Sequence, residues 1–330
     1  MYVVNVDILQ VGDILLEKHD QGDPGIVRES TIIRQRSDSH YSHALLYAGD
    51  GSVFESNVAG VQANNIQRRL YELEDDVIVL RPISKPQGFE ETVIEYVRRM
   101  AMQGYADKDY NYTRSKPDTP SEPNRQFCTR FVALAYQYAG VSITDNPSFA
   151  NPRDIELSNN LIKITNCLRK AKDEEVEFAE SDGVLCHQAD YNWELLNNIR
   201  IAVHDDEIQT IEQLTDFVVG HPEHDDTIAE IVEKSNYYSM WRKMEKETPW
   251  DYDAELLKEH YGTNCKYAAE SLIKLAEDAI HRFEYMQFQF MLGDLYYGRH
   301  TFKVFWSLYK DLVISSNKRL VAARKVLLEE

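Results

Sequence analysis

The sequence changes its pattern once, between about residues 170 and 185. Before this point, short apolar runs that are typical of strands alternate with short helical segments, and Gly and Pro separate them. From about Tyr191 onward, nearly every segment has helical periodicity. A chain of 330 residues is long enough for two domains. We therefore predict an α+β domain over residues 1–175 and an acidic all-α domain over residues 185–330.

Negative charge is concentrated just after this boundary. Residues 1–150 contain 15 basic and 21 acidic side chains, whereas residues 173–250 contain 5 and 20, most of the total net charge of −19. Such a surface repels a phosphate backbone, so no nucleic-acid partner is expected. We interpret the acidic run from Lys172 as a solvated linker and solvated helix faces. The alternative is a docking surface on the helical domain for a basic protein partner.

Several classes of protein do not fit this composition. No stretch of about 18 uncharged apolar residues occurs, so no integral membrane segment is expected. The first residues, MYVVNVDILQVGD, lack the basic and apolar regions of a signal peptide, so we predict a cytoplasmic protein with free thiols. No cofactor and no metal are expected. A Gly-rich phosphate loop is absent, and the histidines of residues 221–226 lie too close together on one loop to define a metal site.

Local patterns predict the main elements. Strands are expected over Asp13–Glu17, His43–Ala48, Ser52–Ser56 and Asp76–Arg81, and helices over Ile26–Arg36, Phe89–Met102 and Phe127–Tyr138. In the second half, helices are expected over Ile208–Val219, Thr227–Met244, Ala254–Phe283 and Phe302–Leu328. The aromatic cluster of residues 283–309 is interpreted as core. The basic run of residues 303–325 is interpreted as a packed helix, with a membrane-surface or partner-binding helix as the alternative.

Cys128 is the candidate nucleophile. It follows a proline-containing loop and lies in the first turn of a predicted helix, where Asn124 is a suitable N-cap about four residues earlier. Unpaired N–H groups and the positive end of the helix dipole stabilise a thiolate at such a position. The alternative is a buried and inert cysteine. Cys167, Cys186 and Cys265 have no comparable setting.

His43 and Glu55 are the candidate base and its partner. His43 opens an apolar strand, where a histidine is held rigidly; the alternative is a structural histidine. If Gly49–Gly51 forms a three-residue loop, Ala48 pairs with Ser52, and Glu55 lies diagonal to His43 on the same sheet face. A two-residue loop would place Glu55 on the opposite face. The alternative for Glu55 is a solvent-facing strand residue.

Four segments of the first half occur in a characteristic order: LQVGDILL, SDSHYSHALLYAGDGSVFES, DVIVLRP and QFCTRFVALAYQYAGV. Together they resemble the permuted papain-like amidases of the YiiX/YaeF type. These form an NlpC-type branch of the papain-like superfamily and are related to the lecithin:retinol acyltransferase-like proteins. In that order the histidine comes first, its polar partner one strand later, and the cysteine last on a helix. The resemblance covers about residues 7–165.

The resemblance implies a circularly permuted papain-like (NlpC-type) domain in which Cys128, His43 and Glu55 are catalytic. The helix motif of the family, Cys-Ser-Glu-Leu-Val, is replaced here by Cys-Thr-Arg-Phe-Val. A Tyr-Asp pair that precedes the cysteine helix in the family is best matched by Tyr110-Asn111, and Tyr105 is a second candidate. By this resemblance Tyr110 is also a catalytic residue that assists at the oxyanion.

The activity that the resemblance implies is that of a cysteine hydrolase. A cysteine-dependent amidase or acyl hydrolase would cleave an amide, thioester or ester bond in a peptide, a lipid or a modified protein. His43 would deprotonate Cys128, and the thiolate would attack the acyl carbon while the Cys128 N–H stabilises the oxyanion. The alternatives are a thiol acyltransferase or protein isopeptidase, and a non-catalytic binding module. The helical half lies outside the resemblance.

Overall fold

The computed structural model describes residues 1–19, 24–110, 119–182 and 184–328. The chain divides into two compact units, Met1–Asp182 and Gly183–Glu330. The sequence had predicted a boundary between residues 175 and 185. The first unit combines strands with short helices and the second is helical, so the chain is of the α+β class with an α-helical C-terminal region.

The first unit is built on a six-stranded antiparallel sheet in the order β5-β4-β3-β2-β6-β7, with a separate two-stranded sheet formed by β1 and β8. Neighbouring strands pair antiparallel throughout. The strands are β1 (Tyr2–Val4), β2 (Ile14–Glu17), β3 (His43–Gly49), β4 (Ser52–Asn57), β5 (Gly60–Asn65), β6 (Val77–Pro82), β7 (Leu161–Ile164) and β8 (Leu168–Lys170).

Two helices cover one face of the large sheet and form the main core. The side chains of Val93, Val97, Phe131 and Tyr136 pack on the apolar residues of β2, β3 and β6. Burial of this area is the main source of stability for such a layer. The helices of the unit are α1 (Pro24–Ser37), α2 (Phe89–Arg99), α3 (Asp107–Tyr110), α4 (Cys128–Tyr138), α5 (Pro152–Glu156) and α6 (Asp173–Glu180).

Four strands had no counterpart in the sequence prediction, namely β1, β5, β7 and β8. The residues of β5, GVQANN, include amides that are uncommon in strands. They form a strand because the backbone pairs with β4 along its whole length, from Asn57 with Gly60 to Ser52 with Asn65. This pairing is a tertiary effect that local propensity does not report.

Gly60 begins β5 in a conformation that only glycine adopts readily. Its φ is +93°, and a Cβ atom there would lie 2.4 Å from the carbonyl oxygen of Gln103. That carbonyl accepts a 2.8 Å hydrogen bond from the N–H of Val61, so it is fixed in place.

Substitution Gly60→Ala is therefore expected to lower the free energy of unfolding by about 2–3 kcal/mol, measured by urea denaturation. Gly88→Ala is the matched control. Gly88 also has a positive φ, +76°, but a Cβ there meets nothing within 4 Å. An equal loss in the two variants would show that the contact with Gln103 is not what matters.

The first part of the acidic run forms the helix α6, so here the charges lie on helix faces, as one part of the interpretation has it, and not in a linker. The Glu175 carboxylate accepts a hydrogen bond from the backbone N–H of Lys172 at 2.9 Å and pairs with Arg169 at 2.5 Å. Acidic residues in the first turn of a helix are favoured by its dipole. Local electrostatics therefore account for this part of the negative charge.

The second unit consists of seven α-helices over its described residues, 184–328. Two predicted helices prove to be interrupted. Thr227–Met244 is broken at Ser235, which has extended geometry and caps the next helix, and Ala254–Phe283 is broken at Gly262. The helices are α7 (Gln188–Val203), α8 (Ile211–Gly220), α9 (Asp225–Lys234), α10 (Asn236–Glu247), α11 (Ala254–Tyr261), α12 (Cys265–Tyr297) and α13 (His300–Leu328).

The two longest helices, α12 and α13, pack along their lengths after a turn at Gly298. The expectation that their aromatics form core holds for Phe290, whose ring stacks on Phe305 at a centroid distance of 4.9 Å. It is wrong for Tyr285, Phe288 and Tyr296, which are more than half exposed. None of the described helices is both long and apolar enough to cross a bilayer.

Candidate active site

Cys128 is the first residue of α4 and is buried, with 5% of its surface exposed. The N-cap is Phe127, in extended geometry with no side-chain cap, so the prediction that Asn124 caps the helix is wrong. The reason is that residues 122–125 form a turn, which the Arg125 N–H closes on the Glu122 carbonyl. Cys128 lies nearer the helix end than predicted. The N–H group of a first helical residue has no intrahelical acceptor and is available to a ligand.

Side chains next to Cys128 fix this end of α4. Thr129 donates a 2.6 Å hydrogen bond to the carbonyl of Ala150. Arg130, which is 1% exposed, donates to the carbonyls of Ser148, Glu122 and Arg125. Thr129 and Arg130 therefore have a structural role. Both side chains anchor the start of the helix in the surrounding loops.

His43 is the first residue of β3 and connects Cys128 with Glu55. Its Nε2 atom lies 2.5 Å from Oε2 of Glu55. The ring also interacts with Cys128, which raises the pKa of the imidazole. Because Nε2 is engaged by the carboxylate, Nδ1 is the ring nitrogen that remains for the sulfur. The structure thus brings together the three residues that the sequence nominated separately, in the order of a thiol, an imidazole and an orienting carboxylate.

The β3–β4 hairpin places Glu55 through a bulge that the sequence analysis did not foresee. Gly49 pairs with Ser52, so the predicted pairing of Ala48 with Ser52 is wrong and the loop has two residues. Both loop residues, Asp50 and Gly51, have positive φ, as a type I′ turn requires. The extra residue Ala48 then shifts the register by one position, so that Leu45 pairs with Glu55 as predicted.

Glu55 is held by three donors in a buried position, with 2% of its surface exposed. Asn64 donates to Oε1, Arg69 Nη2 donates to the same oxygen at 2.6 Å, and His43 contacts Oε2. Burial disfavours the charged form, but the charge of Arg69 and the bond to His43 outweigh it and hold the pKa of Glu55 well below its usual range. Glu55 is therefore a carboxylate at any pH near neutrality.

The electrostatics of the site favour an imidazolium at His43. Burial alone would lower the pKa of this ring, but the facing Cys128 and Glu55 raise the pKa to about 10 through charge and hydrogen bonds. The ring therefore keeps its proton through neutral pH and loses it as the pH rises through about 10. An imidazolium of this kind is the natural counter-ion for a thiolate.

Tyr110 and Tyr105 line the site next to Cys128. Their rings lie 5.5 Å apart, Tyr110 packs on Phe127 at 5.8 Å, and a charge on Cys128 contributes to the raised pKa of both phenols after the larger effect of burial. The charge of Glu29 of α1 also contributes to the raised pKa of Tyr110. The oxyanion role that the resemblance implies for Tyr110 stays a prediction. Asn111 lies outside the described residues.

Three residues of this site escaped the sequence analysis: Arg69, Glu17 and Asn64. Glu17 ends the apolar strand β2 and pairs directly with His43 across the sheet. A carboxylate at the end of a buried apolar run needs a cationic or hydrogen-bonding partner. The position of Glu17 at the end of such a run could therefore have identified it from the sequence. Arg69 follows a turn with no pattern of its own. Only the tertiary fold could have identified it.

Other candidate ligands do not assemble into a site. Among the described residues, no group of three or more His, Cys, Asp or Glu side chains could hold a metal ion. His221 instead stacks on Phe217 at 4.2 Å and contacts its carbonyl through Nδ1. Cys186 is exposed, whereas Cys167 is buried, and burial raises the pKa of the Cys167 thiol.

Comparison of the chain with protein-family models, with curated proteins and with solved structures gave no match. What the site can do chemically therefore follows from its own geometry.

Proposed function

We propose that this protein is a cysteine-dependent amidase or acyl hydrolase whose first unit is a circularly permuted papain-like domain. The observation that supports this most is the buried chain of contacts from Cys128 through His43 to Glu55. The order of these residues along the sequence, with the histidine first and the cysteine last, agrees with the permuted arrangement. The substrate class is an amide, thioester or ester of a peptide, a lipid or a modified protein.

Each step of the reaction uses a group already in place. The protonated His43 pairs with the Cys128 thiolate, and the sulfur attacks the acyl carbon, whose carbonyl electrons move onto oxygen. The Cys128 N–H, free at the helix start, donates to that oxygen. As the tetrahedral intermediate collapses, the imidazolium returns its proton to the leaving nitrogen, oxygen or sulfur. Neutral His43 then takes a proton from a water molecule that attacks the thioester, and cleavage of the C–S bond releases the acid and restores the thiolate–imidazolium pair.

The decisive experiment is alkylation of the full chain with iodoacetamide, with the modified cysteine identified by mass spectrometry. In the wild type, the rate at Cys128 should fall less than about threefold between pH 7 and pH 5, since His43 keeps the sulfur ionised. In His43→Ala it should fall about 100-fold, as for an ordinary thiol whose pKa is near 8.5.

Cys186 is the control within the same molecule, because it is a free and exposed cysteine. Its rate should have the same pH profile in the wild type and in His43→Ala. If Cys128 in a folded wild-type sample follows the profile of Cys186, the thiol is not activated and the proposal is wrong.

A further inference from the structure

A second buried charge cluster lies directly behind the His43–Glu55 pair. The guanidinium of Arg69 spans two carboxylates, with Nη1 3.2 Å from Glu17 and Nη2 2.6 Å from Glu55. Both carboxylates are almost fully buried, at 0% exposed for Glu17 and 2% for Glu55. Two buried carboxylates so close together need a shared cation, because each would otherwise disfavour the charge of the other.

The backbone of Arg69 and the carboxylate of Glu17 are themselves held in place by neighbouring groups. Arg69 ends a short turn in which its N–H bonds to the carbonyl of Ile66 at 3.0 Å. Tyr71 donates its hydroxyl proton to Oε1 of Glu17. Burial, followed by the charge of Glu17, holds the pKa of Tyr71 well above its usual range, so that it stays a donor. Glu17 is held in β2 at the position that pairs with His43.

We propose that Arg69 is a positioning residue of the catalytic site, which holds the Glu55 carboxylate against His43 while Glu17 anchors the guanidinium. The inference rests on the proposed function. Asn64 supplies one further donor to Glu55, but it is neutral. Arg69 is therefore the cation that keeps Glu55 ionised from the side away from His43, in agreement with the lowered pKa of that carboxyl.

The charged and titratable groups around the cluster come from every neighbouring element. His43 and Glu17 face it from β3 and β2, and Tyr71 from the segment after Arg69. His19 lies with its Nε2 3.5 Å from Glu17, and its pKa is lowered, first by burial, so it is neutral near pH 7. Cys128 faces His43 from α4.

Substitutions that remove a positive or a negative charge from this cluster should therefore shift the pH at which the site takes up protons in opposite directions. Arg69→Met removes a positive charge behind the pair, so Glu55 and the thiolate should both take up protons at higher pH. Glu17→Gln removes a negative charge and leaves Arg69 with Glu55 as its remaining carboxylate in the cluster. Arg69→Lys retains the charge but not the planar fork that spans both carboxylates.

The test is the pH profile of Cys128 alkylation by iodoacetamide in the full chain, extended to about pH 3.5. We expect the midpoint of its acid limb to move upward by about one pH unit in Arg69→Met and to stay in place or move downward in Glu17→Gln. Arg69→Lys should bring the midpoint back toward that of the wild type. A role confined to stability would move none of these midpoints.

Equal midpoints in wild type, Arg69→Met and Glu17→Gln, or a movement in the same direction in both variants, would overturn the inference. If Arg69→Met does not fold, the double variant Glu17→Gln/Arg69→Met replaces it, with a midpoint expected above that of Glu17→Gln alone. The proposed function fails separately, when wild type and His43→Ala have the same profile.

Discussion

Replacement of Cys128 with alanine is expected to abolish acyl transfer from an activated ester such as p-nitrophenyl acetate. The rate of p-nitrophenol release should fall by on the order of 10³-fold or more, since the thiolate that attacks the acyl carbon is then missing. His43→Ala should lose a comparable factor at pH 6, because the sulfur then remains a thiol. Release of p-nitrophenol and the mass of the acetylated protein are the two measurements.

The matched control is Cys186→Ser, which removes an exposed cysteine and should leave the rate unchanged. If Cys128→Ala keeps the wild-type rate, the domain is better interpreted as a binding module. The lifetime of the acetylated protein also separates the two enzymatic outcomes. An acyl group that persists in water and leaves only when an amine or alcohol is added would favour a transferase over a hydrolase.

Asp109→Ala is expected to destabilise the first unit by about 3–5 kcal/mol, because it leaves a buried guanidinium unpaired. Arg130 and Asp109 are 1% and 3% exposed, and the Arg130 Nη2 atom lies 2.8 Å from Asp109. Asp109 also accepts bonds from the N–H and the hydroxyl of Ser121. Unfolding in urea at pH 7 gives the loss directly.

The lowered pKa of Asp109 also predicts that the free energy of unfolding depends on pH. Burial opposes its charge, but the bonds from Ser121 and Arg130 lower the pKa of Asp109 to about 2. A depressed pKa stabilises the folded state above the unfolded value and loses this effect as the pH falls toward 2. The wild type should therefore lose more stability between pH 5 and pH 2 than Asp109→Ala does.

Glu90→Ala is the control for both measurements. Glu90 pairs with Lys85 at 2.7 Å, but its side chain is 50% exposed, so the loss should be at most about 1 kcal/mol. Equal losses for Asp109→Ala and Glu90→Ala would show that the buried pair contributes no more than a surface one.

Local patterns in the sequence predict much of the first unit. The apolar run from His43 to Ala48 and the Gly-Asp-Gly turn located the β3–β4 hairpin, and helical spacing located α4. The three residues that the structure brings together, Cys128, His43 and Glu55, were each nominated from their local setting. Their assignment as catalytic residues stays a prediction until the alkylation experiment.

What the sequence could not provide are the features set by contacts between distant segments. Asn124 lies inside the turn of residues 122–125, so it does not cap α4, whose N-cap is Phe127. Arg69 reaches Glu55 and Glu17 across 14 and 52 positions of sequence. In α12 some aromatic side chains are buried and others exposed, because one side of the helix packs on α13. The average hydrophobicity of a segment does not show which of its residues lie on the buried side.

The number of residues in the β3–β4 hairpin, together with the bulge at Ala48, decides which sheet face carries Glu55. A side chain on a strand changes sheet face with every single-residue slip in register. Deletion of one β4 residue between Ser52 and Glu55, with Gly49 still paired to Ser52, would thus leave His43 and Cys128 intact and yet move Glu55 away from His43, into the place opposite Leu46 that Phe54 now holds. Insertions in pairs would preserve its direction. This part of β4 is therefore expected to tolerate changes of residue type much better than changes by one in residue number.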